Sequence, residues 1–260
     1  MPFVRSDESI TRILQNSWEI YGAEQLTVIF ETKPEIIEHL LPPPLKPASA
    51  PYAAIFIADY PRTSFGLPYL ESCLSVKASY NNEEGIFLVS MPVTDDMAMI
   101  YGHTCGYPKK MARIYLKRIG KEVTGWTERN GVRFLEIKAT ITGAYADPHA
   151  EEVISQFTKP PMDWVVYNFK HSPEPDRSGF EYNPRLVKLI VSLRPETIEV
   201  GDAAITLRAS DYDPWADVEI VKIIGAFYTI GSNTMHPGKV VGEADPVQFL
   251  PYAYRWVDLQ

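Results

Sequence analysis

Apolar and polar positions alternate with period two over much of the chain, the pattern of half-buried strands. Residues 25–31 (QLTVIFE), 53–60, 70–80, 85–91 and 111–119 read as strands rich in branched and aromatic side chains. The stretch 132–145 is long enough to require a bend or bulge, and 187–191, 197–200, 204–208 and 218–228 add further strands. Asn81-Asn82-Glu83-Glu84-Gly85 and Glu128-Arg129-Asn130-Gly131 offer asparagine or glycine for the positive φ angles of tight hairpins. Helical spacing is confined to three places. Ile10, Ile13, Leu14 and Trp18 form a stripe over 7–21 that predicts a helix capped by Asp7 or Ser9 and packed through that stripe. A second helix over 32–41 carries Pro34 in its first turn and stops at Pro42-Pro43-Pro44. A third starts around Asp147-Pro148 and ends at Pro160-Pro161, and 173–184 reads as a loop. No repeat, low-complexity tract or linker divides residues 1–260, and the 22 prolines are spread as punctuation. The expectation is one mainly β (α+β) domain, an antiparallel β-barrel with a few peripheral helices.

Composition narrows the function more than the fold. A net charge of −8 argues against nucleic acid as partner, and no basic run alternates with aromatics. Two cysteines, Cys73 and Cys105, are too few for a disulfide framework and read as buried thiols in a reducing compartment. The N-terminal stretch has no apolar signal core, and no run approaches ~18 apolar residues, so a soluble, cytoplasmic protein without a membrane partner is expected. His39, His103, His149, His171 and His236 lack the spacing of a metal site, and neither cysteine has a CxxC partner. Asp211-Tyr212-Asp213 reads as a turn before Pro214. Phosphate-cradling glycine loops and the GxSxG elbow are absent. What remains is a lysine, a carboxylate and aromatic walls.

The lysine lies in Gly102-His103-Thr104-Cys105-Gly106-Tyr107-Pro108-Lys109-Lys110-Met111-Ala112. A nucleophilic lysine must lose a proton, and from a reference pKa near ~10.4 only about one in a few thousand has done so at pH 7. Burial can supply a lowering of roughly 3–5 units. In an extended segment, successive side chains point to opposite faces, so Lys109 and Lys110 cannot share a pocket and desolvation must outweigh their mutual repulsion. Alternation leaves open which lysine faces inward: Lys110, Ala112, Ile114 and Leu116 make the more apolar face, Lys109, Met111, Arg113 and Tyr115 the mixed one. Glu71, set in Leu67-Pro68-Tyr69-Leu70-Glu71-Ser72-Cys73, interrupts an apolar strand start and is a candidate proton donor or acceptor.

These segments together resemble the acetoacetate decarboxylase family. Gly106-Tyr107-Pro108-Lys109-Lys110-Met111-Ala112 is similar to its Schiff-base signature, and Tyr69-Leu70-Glu71-Ser72 to its glutamate segment. The short helix before Pro42-Pro43-Pro44-Leu45 resembles its early helix and turn, and Ala244 to Tyr254 its closing strand. The resemblance implies a cone-like, mostly antiparallel barrel in a homo-oligomer, with no metal or organic cofactor. Lys109 would form the imine, Lys110 would be its neighbour and Glu71 the active-site carboxylate. The family's arginine before the first strand and glutamate in the next fall on Ala23 and Phe56, and a further arginine–glutamate pair on Gly102-His103. Arg62 or Arg113 would then have to hold a substrate carboxylate. His103, Tyr252 and Tyr254 are further substrate-binding candidates, with Phe56 in the place of the glutamate. The expected activity is decarboxylation of a small β-keto acid such as acetoacetate. An aldolase–dehydratase joining pyruvate-like keto acids to aldehydes with the same lysine is the second expectation, and a non-catalytic small-ligand barrel the third.

Overall fold

Two asparagine-bearing turns set the strand pairing. In the computed structural model, which describes residues 3–15, 17–255 and 258, Asn81 and Asn82 take φ of 49° and 64°, and Asn130 and Gly131 take 50° and 79°. Two consecutive positive φ angles are the requirement of a two-residue type I′ hairpin. Each turn accordingly joins neighbouring antiparallel strands.

In chain order the elements are α1 (Asp7–Gln15), β1 (Trp18–Glu31), α2 (Pro34–Leu40), β2 (Lys46–Pro47), β3 (Tyr52–Tyr60), β4 (Arg62–Thr63), β5 (Tyr69–Tyr80) and β6 (Glu83–Val93). They continue with α3 (Asp96–Thr104), β7 (Lys109–Met111), β8 (Arg113–Ile119), β9 (Glu122–Arg129), β10 (Val132–Thr140), α4 (Ala150–Thr158) and β11 (Met162–Lys170). The last are β12 (Arg185–Leu207), a short 3₁₀ turn at Trp215–Asp217, β13 (Lys222–Met235), β14 (Lys239–Glu243) and α5 (Pro246–Ala253). Seven strands close on themselves in the order β11-β6-β5-β3-β1-β13-β12, because β12 pairs back to β11. Every pairing in this barrel is antiparallel except that of β6 with β11. The mainly β, barrel-based expectation is met.

The hairpin strands β8, β9 and β10 form a second sheet that joins the barrel through the end of β12. Alternation along the barrel strands then separates two environments. Leu26, Val28 and Phe30 of β1 and Ile55 and Ile57 of β3 pack with Phe134 and Ile137 of the second sheet. The opposite face, including Gln25 and Phe56, lines a cavity to which all seven barrel strands contribute, and that cavity is the barrel lumen. Helix α4 closes one end, packing Val153 and Ile154 against Ile29 and Phe227.

Several sequence expectations are corrected. The N-terminal helix stops at Gln15 and β1 begins at Trp18, because Trp18–Ile20 pairs with the end of β13 and that pairing overrides helical spacing. Ile10 and Ile13 are exposed instead of packed, and the side chain of Leu14 lies outside the described residues. The segment 111–119 breaks at Ala112 into β7 and β8, 132–145 ends as a strand at Thr140, and the pieces at 187–191, 197–200 and 204–208 fuse into β12. The expected closing strand at 244–254 is the helix α5: Asp245 accepts hydrogen bonds from the Val247 and Gln248 N–H groups at 3.0 Å each, and Pro246 opens the first turn. Helix α3 and strands β9 and β11 were not expected. No helix among the described residues is long and apolar enough to cross a membrane.

Strand β12 passes from barrel to second sheet at Gly201, whose partner is Ala226 of β13, while the next residue, Asp202, pairs with Thr140 of β10. A Cβ at Gly201 would lie 2.1 Å from the Thr140 carbonyl oxygen and 2.8 Å from the Ile141 Cα, both backbone atoms that cannot move aside cheaply. Gly201→Ala is therefore expected to lower stability by about 1–3 kcal/mol, the usual range for overpacking, read as a lower urea midpoint with an unchanged slope.

Candidate active site

Lys109 reaches the lumen because the chain before it is clamped. Asp95 caps α3 by accepting from the Ala98 N–H at 2.9 Å, and the helix ends at Thr104. The N–H groups of Cys105 and Tyr107 donate back to the Gly102 carbonyl, at 2.9 and 3.1 Å. Gly106 turns the chain with φ of 81°, and a Cβ there would lie 2.7 Å from the Phe169 carbonyl, so glycine is required on two grounds. Strand β7 then adds in parallel to β6, with Lys109 opposite Met91. The Nε2 of His103 hydrogen-bonds the Lys109 carbonyl at 2.9 Å, closing the loop.

In the lumen Lys109 Nζ donates to Glu71 Oε2 at 2.7 Å, with the two side chains only 4% and 6% exposed. The Tyr60 hydroxyl donates to the other oxygen, Oε1, at 3.5 Å. The rings of Tyr69 and Tyr107 stand 5.4 and 5.6 Å from Nζ, within cation–π range. Burial first, and then the Glu71 charge, push the Tyr60 and Tyr69 phenols well above their ordinary range, so both hold their protons. Burial likewise raises the Cys73 thiol, which excludes a thiolate nucleophile at neutral pH. The chamber around Nζ is about 60 Å³. Among the described residues that line it, Lys109 and Glu71 are the only charged ones; Gln25 and Asn233 add amides, and the rest of the wall is aliphatic or aromatic.

Lys110 leaves β7 on the other side. Its Nζ donates to the Tyr212 carbonyl at 2.6 Å and to Asp213 and Asp258 at 3.3 Å each. Arg129 bridges the same two carboxylates, so two cations and two anions are interleaved. The alternation argument thus holds: the lysines are back to back, both buried, each matched to its own carboxylates.

This is the geometry that the family comparison meets. The family described as acetoacetate decarboxylase (ADC) matches residues 1–244. The chain belongs to that family. It is 24% identical over 263 residues to the "CLA biosynthesis isomerase" of Lactiplantibacillus plantarum, covering 96% of this chain and 92% of the relative. With the acetoacetate decarboxylase of Burkholderia cenocepacia it shares 25% over 220 residues, 84% of this chain and 85% of the other. The fold superimposes on the crystal structure of acetoacetate decarboxylase from Legionella pneumophila with a TM-score of 0.75, at 22% identity over 88% of each chain. It also superimposes on the enduracididine biosynthesis enzyme MppR complexed with pyruvate, with a TM-score of 0.70, at 20% identity over 88% of this chain and 91% of that one.

Within this family frame, the sequence-chosen residues divide sharply. Lys109, Glu71 and Phe56 line one cavity. His103 holds the Lys109 backbone and does not line it. Lys110 is directed away, into the charge network. Arg113 is 79% exposed and paired with Glu128, so it cannot serve as a carboxylate anchor in the lumen. Arg62 stacks over Tyr21 instead. Tyr252 and Tyr254 pack against the core on the far side of the sheet, because α5 replaces the strand that would have brought them inward. Ala23 is simply buried beside Tyr60 and Tyr69. The residues missed were Tyr60, Tyr107, Gln25, Asn233 and Asp213. Only Asp213 left a signal, since a buried Lys110 requires a buried acceptor nearby.

Two outcomes are expected. A Cβ at Gly102 would fall 2.5 Å from Lys109 Cδ, so Gly102→Ala must displace the lysine side chain. The helical gain of alanine over glycine, about 1 kcal/mol, is smaller than the roughly 3–5 kcal/mol lost when a buried ion pair is broken, so the variant should unfold at a lower urea midpoint than wild type. The Asp258 carboxyl is held near pKa 2, first by the Arg129 hydrogen bonds. Its folded pKa lies below the unfolded value of about 4, so its contribution is complete above that value and is lost as pH falls towards 2. Acid titration of stability should therefore be shallower in Asp258→Asn than in wild type across that window.

Proposed function

We propose that the protein processes a carbonyl compound through an imine on Lys109, with Glu71 carrying protons, and that its reaction is the decarboxylation of a β-keto acid. The observation that supports this is the 2.7 Å contact between two nearly inaccessible groups in a chamber that holds no other charge among its described lining residues. Transfer of the proton from Nζ to Glu71 leaves a neutral amine and a carboxylic acid, the pair needed to start. The amine attacks the substrate carbonyl, Glu71 returns its proton to the departing hydroxyl, and water leaves the protonated imine. The bond from the α-carbon to the carboxylate then breaks, its electrons entering the iminium and carbon dioxide departing. The resulting enamine takes a proton at carbon, and water releases the ketone and Lys109. An apolar chamber favours this step because the charge pair of iminium and carboxylate becomes two neutral products.

A second reading has its own support. The match to a relative named as an isomerase spans nearly the whole chain, and an imine with one adjacent carboxylate suits proton removal and return beside a carbonyl. Aldol condensation with a pyruvate-like acid has no observation of its own behind it: no arginine among the described residues lines the chamber, which bears equally on both acids.

Borohydride reduction in the presence of acetoacetate, followed by peptide mapping, tests the proposal. The expected result is an adduct on Lys109 that is absent in Lys109→Ala, with carbon dioxide released in turnover. Glu71→Gln should slow turnover by about 10²–10⁴-fold, the usual contribution of a positioned acid–base group. An adduct without carbon dioxide, accompanied by deuterium uptake next to the carbonyl, would move the assignment to isomerisation. Absence of any adduct would overturn the imine.

A further inference from the structure

The reacting chamber is small, about 60 Å³, yet the lumen does not end there. A second chamber of about 240 Å³ lies further along the same strands, towards α4. The two share three wall residues: Phe56 of β3, Ile86 of β6 and Trp164 of β11. Lys109 stands opposite Met91 on β6, so Ile86 is five residues down the strand, about 16 Å at the usual rise. Beyond this constriction the wall mixes Ile29, Ala54 and Phe157 with polar groups, among them Asp163 and the ion pair of Lys77 with Glu84. Trp164 is held in place by donating its indole N–H to the Phe157 carbonyl at the end of α4, at 3.2 Å.

At about 10–15 Å³ of cavity space for each water-sized group, a chamber of about 60 Å³ takes roughly four to six of them, the carbonyl with its nearest atoms. Anything attached to the carbonyl must continue along the lumen, and the shared residues there are apolar. Phe56 matters most in this respect, because it offers a ring where a charged side chain would oppose a hydrocarbon. We propose that the substrate is a carbonyl compound with a linear apolar tail, bound with its carbonyl at Lys109 and its tail threaded past Phe56, Ile86 and Trp164 into the second chamber. These three residues set chain-length preference. The proposal deepens the imine reading by naming the substrate class, and its binding part stands on the lumen alone.

Methyl ketones from butanone to dodecanone are the probes, scored in two ways: dissociation constants by calorimetry with wild type and Lys109→Ala, and borohydride adducts with wild type. Affinity is expected to rise two- to fourfold per added methylene until the second chamber is full, in both proteins, as burial of hydrocarbon requires. In Ala54→Phe, which fills the second chamber, the ratio of nonanone to butanone affinity should collapse to within twofold of one. In Trp164→Ala the rise should extend to longer chains. Affinity that is flat beyond butanone in wild type, or a nonanone preference that survives Ala54→Phe, would overturn the proposal. Chain-length-dependent binding without any adduct would keep the tail site and remove the imine. Adducts with flat affinity would do the reverse.

Discussion

The site depends on one buried ion pair. Lys109 and Glu71 are both almost inaccessible, and each would be strongly penalised in that environment without the other. Two unit charges 4 Å apart attract by about 4 kcal/mol at the effective dielectric near a protein surface, and more at shorter range. Much of that is offset by desolvation, so the pair is weak evidence for stability and better evidence for chemistry. Its value lies in holding an amine and a carboxyl group within proton-transfer distance, away from water. Everything that precedes Lys109 in sequence serves that placement: the capped helix α3, the glycine turn and the return of the Tyr107 amide to the Gly102 carbonyl.

The neighbouring lysine shows what strand geometry imposes. Because side chains alternate across β7, two adjacent lysines must be neutralised on opposite sides of the sheet. Glu71 serves one; Asp213 and Asp258, shared with Arg129, serve the other. Lys110 thus fixes the position of β7 from behind while Lys109 projects into the lumen. The two environments meet only through the backbone, which His103 further restrains at the Lys109 carbonyl.

The barrel explains why a reactive amine can sit beside so much hydrocarbon. Seven strands contribute to the chamber wall, and the same alternation that buries Leu26 and Val28 against the second sheet turns Gln25 and Phe56 inward. Where family members are expected to place charge at Phe56, this chain places an aromatic ring. The lumen therefore holds one ion pair at the Lys109 end, an apolar constriction at Phe56, Ile86 and Trp164, and a mixed polar and apolar wall beyond it.

Period two and the asparagine turns made most of the barrel strands and two hairpins legible from the chain, and Gly-Tyr-Pro-Lys-Lys together with the Glu71 segment marked the lysine pair and the carboxylate. These are local properties: alternation, turn chemistry and a short motif survive without knowledge of what packs where. The remainder was decided by contacts distant in sequence. Trp18–Ile20 became strand by pairing with β13, over 200 residues away, and Asp245 with Pro246 made a helix where a strand was expected. Arg113, Tyr252 and Tyr254 were plausible by residue type but lie outside the lumen, whereas Tyr60, Gln25 and Asn233 carry no motif and line it. The chain by itself specified a lysine pair and a carboxylate to watch, and the family resemblance pointed to Lys109 within the pair. Closure of the barrel alone decided what surrounds them, because a side chain's neighbours across a sheet are set by register, and register is a property of strands that have already met.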